Sequence, residues 1–430
     1  MTNILRIAWR NFWRNLGRYR LLMAALAAAV LVQVTILGSI LGLTDTLRAK
    51  AARYFGGQVV VLGYGPDGYS RIRDAAQVEQ ALRSAAARGA TLVKRTHYYE
   101  KDATLFFAGN YHGQRRLIGV DWQDEQAQLQ TFDLVAGKLP SAGDEAAILV
   151  STVAAGALGV RVGDELIVSG TTEAGQRNTA FLIVTGIFND PSIFGYTSYL
   201  PFRVVNRLLG VEPDRVSEIG LFLPPRTDPN RQARRVLAAL AERLPVSSVF
   251  STQEQRDQAS RERDRTGPVH YGVITLDANL AEIRNLLDSL AILAGFLILL
   301  FLLIVVIGVA NTYSMIVYER TQEIGTMRAL GMPRGHAAWM FLFEALLLGA
   351  CGTALGFGGG ILALSGLSLL DLSAHEALLM FLSRGRLAWS LSPGWTIGII
   401  AAMAAASLAG CLRSATRAAA VAPIVALRKE

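Results

Sequence analysis

Four stretches of this chain are too long and too apolar to belong to an ordinary soluble core. Residues 21–43 and residues 289–312 carry no charged side chain. Residues 337–370 carry one, Glu344, and residues 394–412 none. Each reaches the roughly 20 residues that a helix needs to cross a hydrocarbon core. Helices suit that solvent because they pair their own backbone polar groups where no water can. The 337–370 block is long enough to tilt, bend or extend beyond the bilayer. Only 18% of the 430 residues are charged and 52% are hydrophobic, against about a quarter charged in a typical soluble domain. The expected fold class is a membrane protein with four transmembrane helices and a large α+β domain between the first and second. The first block follows a basic start, as a secretory signal would. It is too long for a signal core and no Ala-x-Ala-like site follows it near residues 43–46, so it reads as a retained anchor.

Charge sets the orientation. Residues 1–20, 313–336 and 413–430 together hold twelve basic and three acidic residues, whereas residues 44–288 hold 28 of each. The short loop 371–393 is also balanced, with Arg384 and Arg386 against Asp371 and Glu376. The net charge of +8 therefore lies on one side of the membrane, which the positive-inside rule makes cytoplasmic. Both termini are expected there. The basic balance reflects topology and gives no support for nucleic-acid binding. Cys351 and Cys411 both fall in predicted spans, so the external domain has no disulfide and no cysteine-based metal site.

Residues 1–20 have the pattern of an amphipathic helix. Leu5, Trp9, Phe12, Trp13 and Leu16 recur at helical spacing, while Arg6, Arg10 and Arg14 recur every four residues. Trp9, Asn11 and Trp13 beside Arg6, Arg10 and Arg14 suit a helix lying in the membrane interface, or simply a positively charged flank. The large region 44–288 mixes elements. Residues 58–63, 104–108, 116–120, 147–150, 164–169, 179–188, 219–223 and 246–250 read as strands, and residues 77–88, 153–158 and 230–244 as helices. Residues 109–113 and 170–176 read as turns. The region reads as two subdomains, the inserted one spanning about 116–212. Residues 251–288 show Leu276, Leu280, Ile283, Leu287 and Leu290 every three to four positions. That spacing predicts a helix continuous with the second span, and Thr46, Leu47 and Lys50 extend the first span likewise. Such a pair forms rigid stalks.

The chemistry-bearing residue types are sparse. No Gly-x-x-x-x-Gly-Lys-Ser/Thr string is present to cradle phosphates, so the chain is expected to be no enzyme and to have no ATPase site of its own. The glycines at 356 and 358–360 lie within a span, where they permit close helix packing. His97, His112, His270, His336 and His375 have no partner at metal-ligand spacing, and no Gly-x-Ser-x-Gly elbow occurs. Catalytic and metal-binding residues are therefore expected to be none. Glu344 is the one acid inside a span and is a functional candidate for that reason. Near the cytoplasmic interface it is expected to pair with Arg328 or with an arginine of a partner chain, ahead of proton coupling.

The segment 318–331 is the most informative. Glu319 and Glu323 share one face, and Arg320 reaches Glu323 at i, i+3. Ile324, Met327, Arg328 and Leu330 give a short helix an apolar ridge with a charged flank. Gly331 sits where a helix ends in a left-handed residue and Pro333 where the next helix begins. The pattern fits a surface hairpin or a helix that docks into a groove on a cytoplasmic partner.

Here the chain resembles a family. Asn311-Thr312, Tyr318-Glu319-Arg320-Thr321-Gln322-Glu323-Ile324-Gly325, Arg328-Ala329-Leu330-Gly331 and Phe343-Glu344-Ala345 are similar to the FtsX-like/MacB-type ABC transporter permeases, including the lipoprotein-releasing kind without a fused ATPase. Ala8-Trp9-Arg10-Asn11 with Arg14, and Arg417, Ala418, Pro423 and Ala426-Leu427-Arg428, resemble the family's two termini. In the external domain the likeness is looser and rests on Gly57 to Val61, Gly119-Val120-Asp121 and Val162-Gly163-Asp164. The resemblance implies a bacterial inner-membrane permease working as a homodimer or heterodimer over a dimer of cytoplasmic ABC ATPase subunits. ATP and Mg would bind at that partner ATPase, and no cofactor would bind this chain. It implies coupling through Glu319, Arg320, Glu323, Ile324, Gly325, Met327, Arg328, Ala329, Leu330, Gly331 and Met332. It implies work on the periplasmic side with a carrier, an adaptor or a lipoprotein, in contact with membrane lipids. Three roles stay open: lipoprotein release, efflux with an adaptor, and signalling to a periplasmic hydrolase.

Overall fold

The structure is a computed structural model. It describes residues 9–10, 13–14, 16–64, 72–98, 102–189, 196–225, 227–250, 252, 254–255, 258, 269–372 and 381–420. In chain order the elements are α1 (Leu16–Phe55), β1 (Val59–Tyr64), α2 (Ala75–Ala85), β2 (Thr91–Tyr98), β3 (Thr104–Phe107), β4 (Asn110–Gly113), β5 (Arg116–Val120), α3 (Gln126–Leu129), β6 (Leu134–Gly137), β7 (Ala147–Ser151), α4 (Thr152–Leu158), β8 (Glu165–Thr171), β9 (Arg177–Phe188), β10 (Thr197–Pro201), α5 (Phe202–Leu209), β11 (Glu218–Phe222), α6 (Pro229–Ala241), β12 (Val246–Phe250), β13 (His270–Thr275), α7 (Leu276–Asn279), α8 (Ala281–Glu319), α9 (Thr321–Ala329), α10 (Arg334–Leu367) and α11 (Pro393–Ala420). They form two compact units. One comprises residues 45–285 with 372–386, the other residues 1–44, 286–371 and 387–430.

The second of these units is helical. Four helices are long and apolar enough to cross a membrane: Tyr19–Phe55, Leu287–Glu319, Arg334–Leu367 and Pro393–Ala420. These are the four blocks read from the sequence. A buried seam of Leu26, Val30, Val34, Val309, Met340, Phe341, Leu348 and Met403 runs between them. The glycines of α10 let α1 come close. A Cβ on Gly356 would lie 2.4 Å from the Ala27 carbonyl oxygen, and one on Gly360 would lie 2.7 Å from Val34 Cγ1. With no hydrophobic drive between helices in lipid, such backbone approach supplies the packing energy.

The other unit is a mixed α+β domain. Its strands form one sheet in the order β12-β13-β1-β11-β2-β5-β10-β7-β9-β8-β3-β4, with β6 added on β9. β1 joins β11 and β13 antiparallel, and β5 joins β10 and β7 joins β9 in parallel. Local patterns explain the strands. β1 is a run of valines buried throughout, as a strand covered on both faces requires. β9 alternates buried Ala180, Leu182 and Val184 with exposed Phe181 and Ile183, the period-two signature of a half-buried strand. One core gathers Val59, Val61, Leu82, Ile219, Val236 and Val273. Another gathers Leu105, Leu117, Val150, Leu166, Val184 and Leu208.

Three readings change. Residues 251–288 are not one helix. His270–Thr275 is strand β13, paired with β1 and β12, and helix resumes in α7 and α8. The leucine spacing is real, but the Val273-Ile274 pair gains more in the sheet than in a helix. Residues 251, 253, 256–257 and 259–268 lie outside the described residues. The expected turn at 109–113 is a tighter one. Ala108 and Gly109 take positive φ angles of 47° and 87°, and Asn110–Gly113 is already strand β4. Strands β2 and β10 and helix α5 went unread.

α1 ends abruptly. Gly56 and Gly57 have φ angles of +85° and +133°, and the Gly57 N–H donates to the Ala52 carbonyl at 2.7 Å. A Cβ on Gly57 would meet the Leu221 carbonyl oxygen at 2.5 Å, so only glycine fits this elbow.

Candidate functional site

The segment 319–333 is a short helix hung between two long ones. α8 runs to Glu319, the backbone breaks at Arg320 with φ −96° and ψ 15°, and α9 covers Thr321–Ala329. Glu323 lies in the first turn of α9 and Arg328 in the last, each placed favourably against the helix dipole. Gly331 closes the helix at φ +97°. Its N–H donates to Arg328 and the Met332 N–H donates to Met327, the double bond of a glycine-terminated helix. Pro333 then caps α10.

Burial divides the predicted coupling residues in two. Arg320, Ile324 and Gly325 are buried, and Met327 packs partly against the apolar seam. Arg328 and Met332 are half-buried, while Glu319, Glu323, Ala329, Leu330 and Gly331 are exposed. Leu330 stands 86% exposed. The expected apolar ridge is thus not offered whole to a partner. Ile324 and Met327 turn into the helical unit because that face has the apolar seam beneath it, and Leu330 remains at the tip.

Arg320 ties this segment down. Its Nε donates to Glu323 Oε2 at 2.9 Å, and its Nη1 lies 3.3 Å from both oxygens of Glu344. Its guanidinium also sits 5.6 Å from the centre of the Phe341 ring. Glu344 is wholly buried, and Tyr19 near the start of α1 donates its hydroxyl to Glu344 Oε2 at 3.2 Å. Tyr19 stacks with Tyr313 of α8 at 6.4 Å between ring centres, and Cys411 of α11 donates its thiol to the Phe341 carbonyl. One carboxylate therefore joins α1, α10 and the junction of α8 with α9. Glu344 pairs with Arg320, an arginine that the sequence reading had not named for it. Arg320 heads α9 from the same side on which α10 presents Glu344, whereas Arg328 is at the other end of that helix. Taking such a pair out of water is costly, and removing either member leaves an unpaired buried charge. A geometry maintained at that cost is a specific one. Tyr19, Tyr313 and Phe341 escaped the sequence reading because aromatic residues beside a span have no distinguishing pattern.

Of the interfacial set, Trp9, Arg10, Trp13 and Arg14 are helical and exposed, with the two indoles 5.8 Å apart at i, i+4. Arg6 and Asn11 lie outside the described residues, as do Pro423, Ala426, Leu427 and Arg428. Among the described residues no group of three metal-ligating side chains gathers.

The family described as FtsX-like permease C-terminal matches residues 295–423, which include α9 and its anchor. The chain is thus similar to FtsX/MacB-type ABC permeases. The chain is 22% identical over 323 residues to the Haemophilus influenzae lipoprotein-releasing system transmembrane protein LolC, covering 73% of this chain and 72% of that one. It is 27% identical over 433 residues to the Pseudomonas entomophila pyoverdine export ATP-binding/permease protein PvdT, covering 95% of this chain. It spans only 59% of PvdT's own length. The periplasmic region of MacB from Actinobacillus actinomycetemcomitans aligns with 54% of the permease and 96% of that region, at a TM-score of 0.33 and 12% identity. Four long apolar helices and relatives that are ABC transporter permeases indicate a multi-pass membrane protein.

Proposed function

We propose that this permease converts ATP hydrolysis by a separate cytoplasmic ATPase dimer into mechanical work on the periplasmic face of a bacterial inner membrane, most economically the release or trafficking of lipoproteins. The observation that carries the reading is the two-sided coupling segment. α9 exposes Leu330 at its tip and is bonded at its root through Arg320 to Glu344 and so to Tyr19 of α1. A helix that is solvent-facing on one side and bonded to three spans on the other is equipped to receive a push and pass it on. ATP and Mg belong to the partner ATPase. The charge distribution supports the cytoplasmic placement of α9 and of both termini. A second permease copy or a paralogue is supported by the bareness of the second span, which buries 11% of its apolar window against 33–50% in the other three.

Export of a small molecule through an adaptor is a second reading. It is favoured by the match to PvdT, which runs over more of this chain than the match to LolC does. In either case the coupling step is the same. Leu330→Asp places a charge at the exposed tip without touching the anchor. The ATPase co-purifying with this variant is expected to fall at least tenfold in yield or in turnover, with unchanged thermal stability of the permease. An ATPase that stays bound and equally active refutes the assignment of α9.

A further inference from the structure

Between α10 and α11 the helical unit is not closed. A groove of about 410 Å³ runs there, lined by Gly349, Ala350, Thr353 and Ala354 of α10 and by Ile400 and Ala404 of α11. The sequence makes the gap. The four α10 residues fall at i, i+1, i+4 and i+5, so two turns of one face carry only small side chains. Leu346 and Phe357 border it about a turn before and a turn after. Small residues in a membrane helix are by themselves only a place for a neighbour to pack. Two hydroxyls set this groove apart. Thr353 lines it, is 6% exposed, and its hydroxyl has no hydrogen-bond partner among the described residues. Ser407 of α11 is 1% exposed, and its Oγ has none either. That oxygen stands against the groove-lining Gly349, where a Cβ would meet it at 2.5 Å. Gly349 is one turn from Thr353 on the same face, so both hydroxyls serve one stretch of the groove.

A serine or threonine within a helix has a ready acceptor in the carbonyl four residues back. Thr35, Thr321 and Thr326 of this chain use it, whereas Thr353 and Ser407 do not. A buried hydroxyl left unmatched destabilises the fold, and the groove has room for the oxygen that would match both. The lining then fixes the chemistry of the occupant. Among the described residues no charged side chain borders the groove, so the buried part of the occupant is uncharged. Both hydroxyls can donate, so the occupant carries an acceptor oxygen. The surrounding helices are apolar enough to cross a membrane, so the occupant reaches the groove through hydrocarbon. An apolar wall with a few placed polar groups is the usual make-up of a small-molecule site.

We propose that the groove between α10 and α11 binds an uncharged, membrane-dissolved lipid, whose apolar chain fills the slot and whose oxygen accepts from Thr353 and Ser407. The site stands apart from the coupling reading, since it shares no residue with α9 or with the Glu344 anchor. The test uses the full-length permease in phosphatidylcholine nanodiscs and a single-chain probe, hexadecanol carrying a diazirine within its chain. After photolysis the labelled peptides are read by mass spectrometry, with plain hexadecanol and hexadecane as competitors. Label is expected on residues 346–357 and 400–407, displaced by hexadecanol and much less by hexadecane. T353V/S407A keeps the shape of the slot and removes both oxygens. It is expected to lose label roughly fivefold or more, for two lost hydrogen bonds. Its thermal midpoint is expected not to fall, whereas hydroxyls that merely held the two helices together would lower it when removed. A350L/A354L fills the slot and is expected to abolish the label. Should that variant fail to fold, T353V/S407A decides alone. Label spread evenly over the four spans, or equal displacement by hexadecane, means ordinary lipid solvation and overturns the proposal. Full labelling of T353V/S407A overturns it as well.

Discussion

Near its start α1 gives one phenol, Tyr19, to a carboxylate on another helix. At its last turn it gives two backbone carbonyls to Arg95 and Arg116, and the Tyr54 ring lies beside Arg116 as well. The inner contact centres on a single buried carboxylate. Arg320 reaches it at 3.3 Å, at the long end of hydrogen bonding, and shares itself with the half-exposed Glu323. The second contact spreads Arg95, Arg116, Glu125, Glu218 and His97 over three strands and the cap of α3. Its bonds to α1 are short, and they are independent of which side chains the helix carries. The difference teaches that one helix can be held in two physically distinct ways. A side-chain contact with a shared cation can lengthen, exchange partners and re-form. A main-chain contact between neutralised buried charges moves as a block or breaks.

The sharpest way to break this contrast is to strip the inner pair. Arg320→Met leaves Glu344 buried without its cation and is expected to cost about 3–5 kcal/mol, visible as a large drop in thermal midpoint in detergent. R320M/E344L, which removes both charges, is expected to recover most of the stability and none of the coupled ATPase stimulation. A double variant that recovers both would make the pair a packing feature only.

The outer network should instead show itself through pH. Burial pushes the His97 imidazole down to about 4; Glu218 pulls it up, while Arg116 and Arg95 push it down. Folded His97 therefore binds fewer protons than unfolded His97 between about pH 4 and 6.5. The stability it confers is complete above that window and is lost as pH falls through it, by up to about 3 kcal/mol for a shift of this size. Glu218, also buried and held below the usual carboxylate range by His97, adds loss in the same direction at still lower pH. His97→Asn is expected to flatten the acid limb of a stability–pH curve, and an unchanged limb would remove His97 from the network's energetics.

The smallest effect belongs between the two ends. Gly356→Ala adds one methyl group against the Ala27 carbonyl and Val30 and is expected to cost about 1–3 kcal/mol by overpacking. Gly358→Ala, two residues on and open to space, should cost nothing measurable in the same melt. Equal losses at the two positions would mean that α1 does not rest on α10 through these glycines.

Much of this was legible beforehand, for reasons that differ by region. The spans announce themselves because lipid demands an uninterrupted apolar run, a signal that needs no knowledge of neighbours. Gly331 and the Arg320–Glu323 pair were readable because helix ends and i, i+3 contacts are local. The partner of Glu344 was not, since choosing Arg320 over Arg328 depends on how α9 turns beneath α10. Nor was the inward facing of Ile324 and Met327, for a short amphipathic helix does not say which of its neighbours is the apolar one. β13 was misread because a leucine repeat on either side of it carried a helical period across a segment whose valine and isoleucine pair with β1. Arg95 and Arg116 look in the sequence like any two arginines on alternating strands. Their meaning comes only from the carbonyls that the end of α1 places in front of them.

The elbow after α1 has a consequence for compliance. Gly56, Gly57 and Gln58 are the entire connection between Phe55 and Val59, and Gly57 and Gln58 are both hydrogen-bonded. The Gln58 N–H donates to the Leu221 carbonyl, its own carbonyl accepts from Leu276 N–H, and its side-chain oxygen accepts from Leu223 N–H. A tether works as an entropic spring only when it has spare conformations to surrender, and this one has none. A joint without slack stores no strain and wastes no stroke. β1 must follow the last turn of α1, in step and without delay.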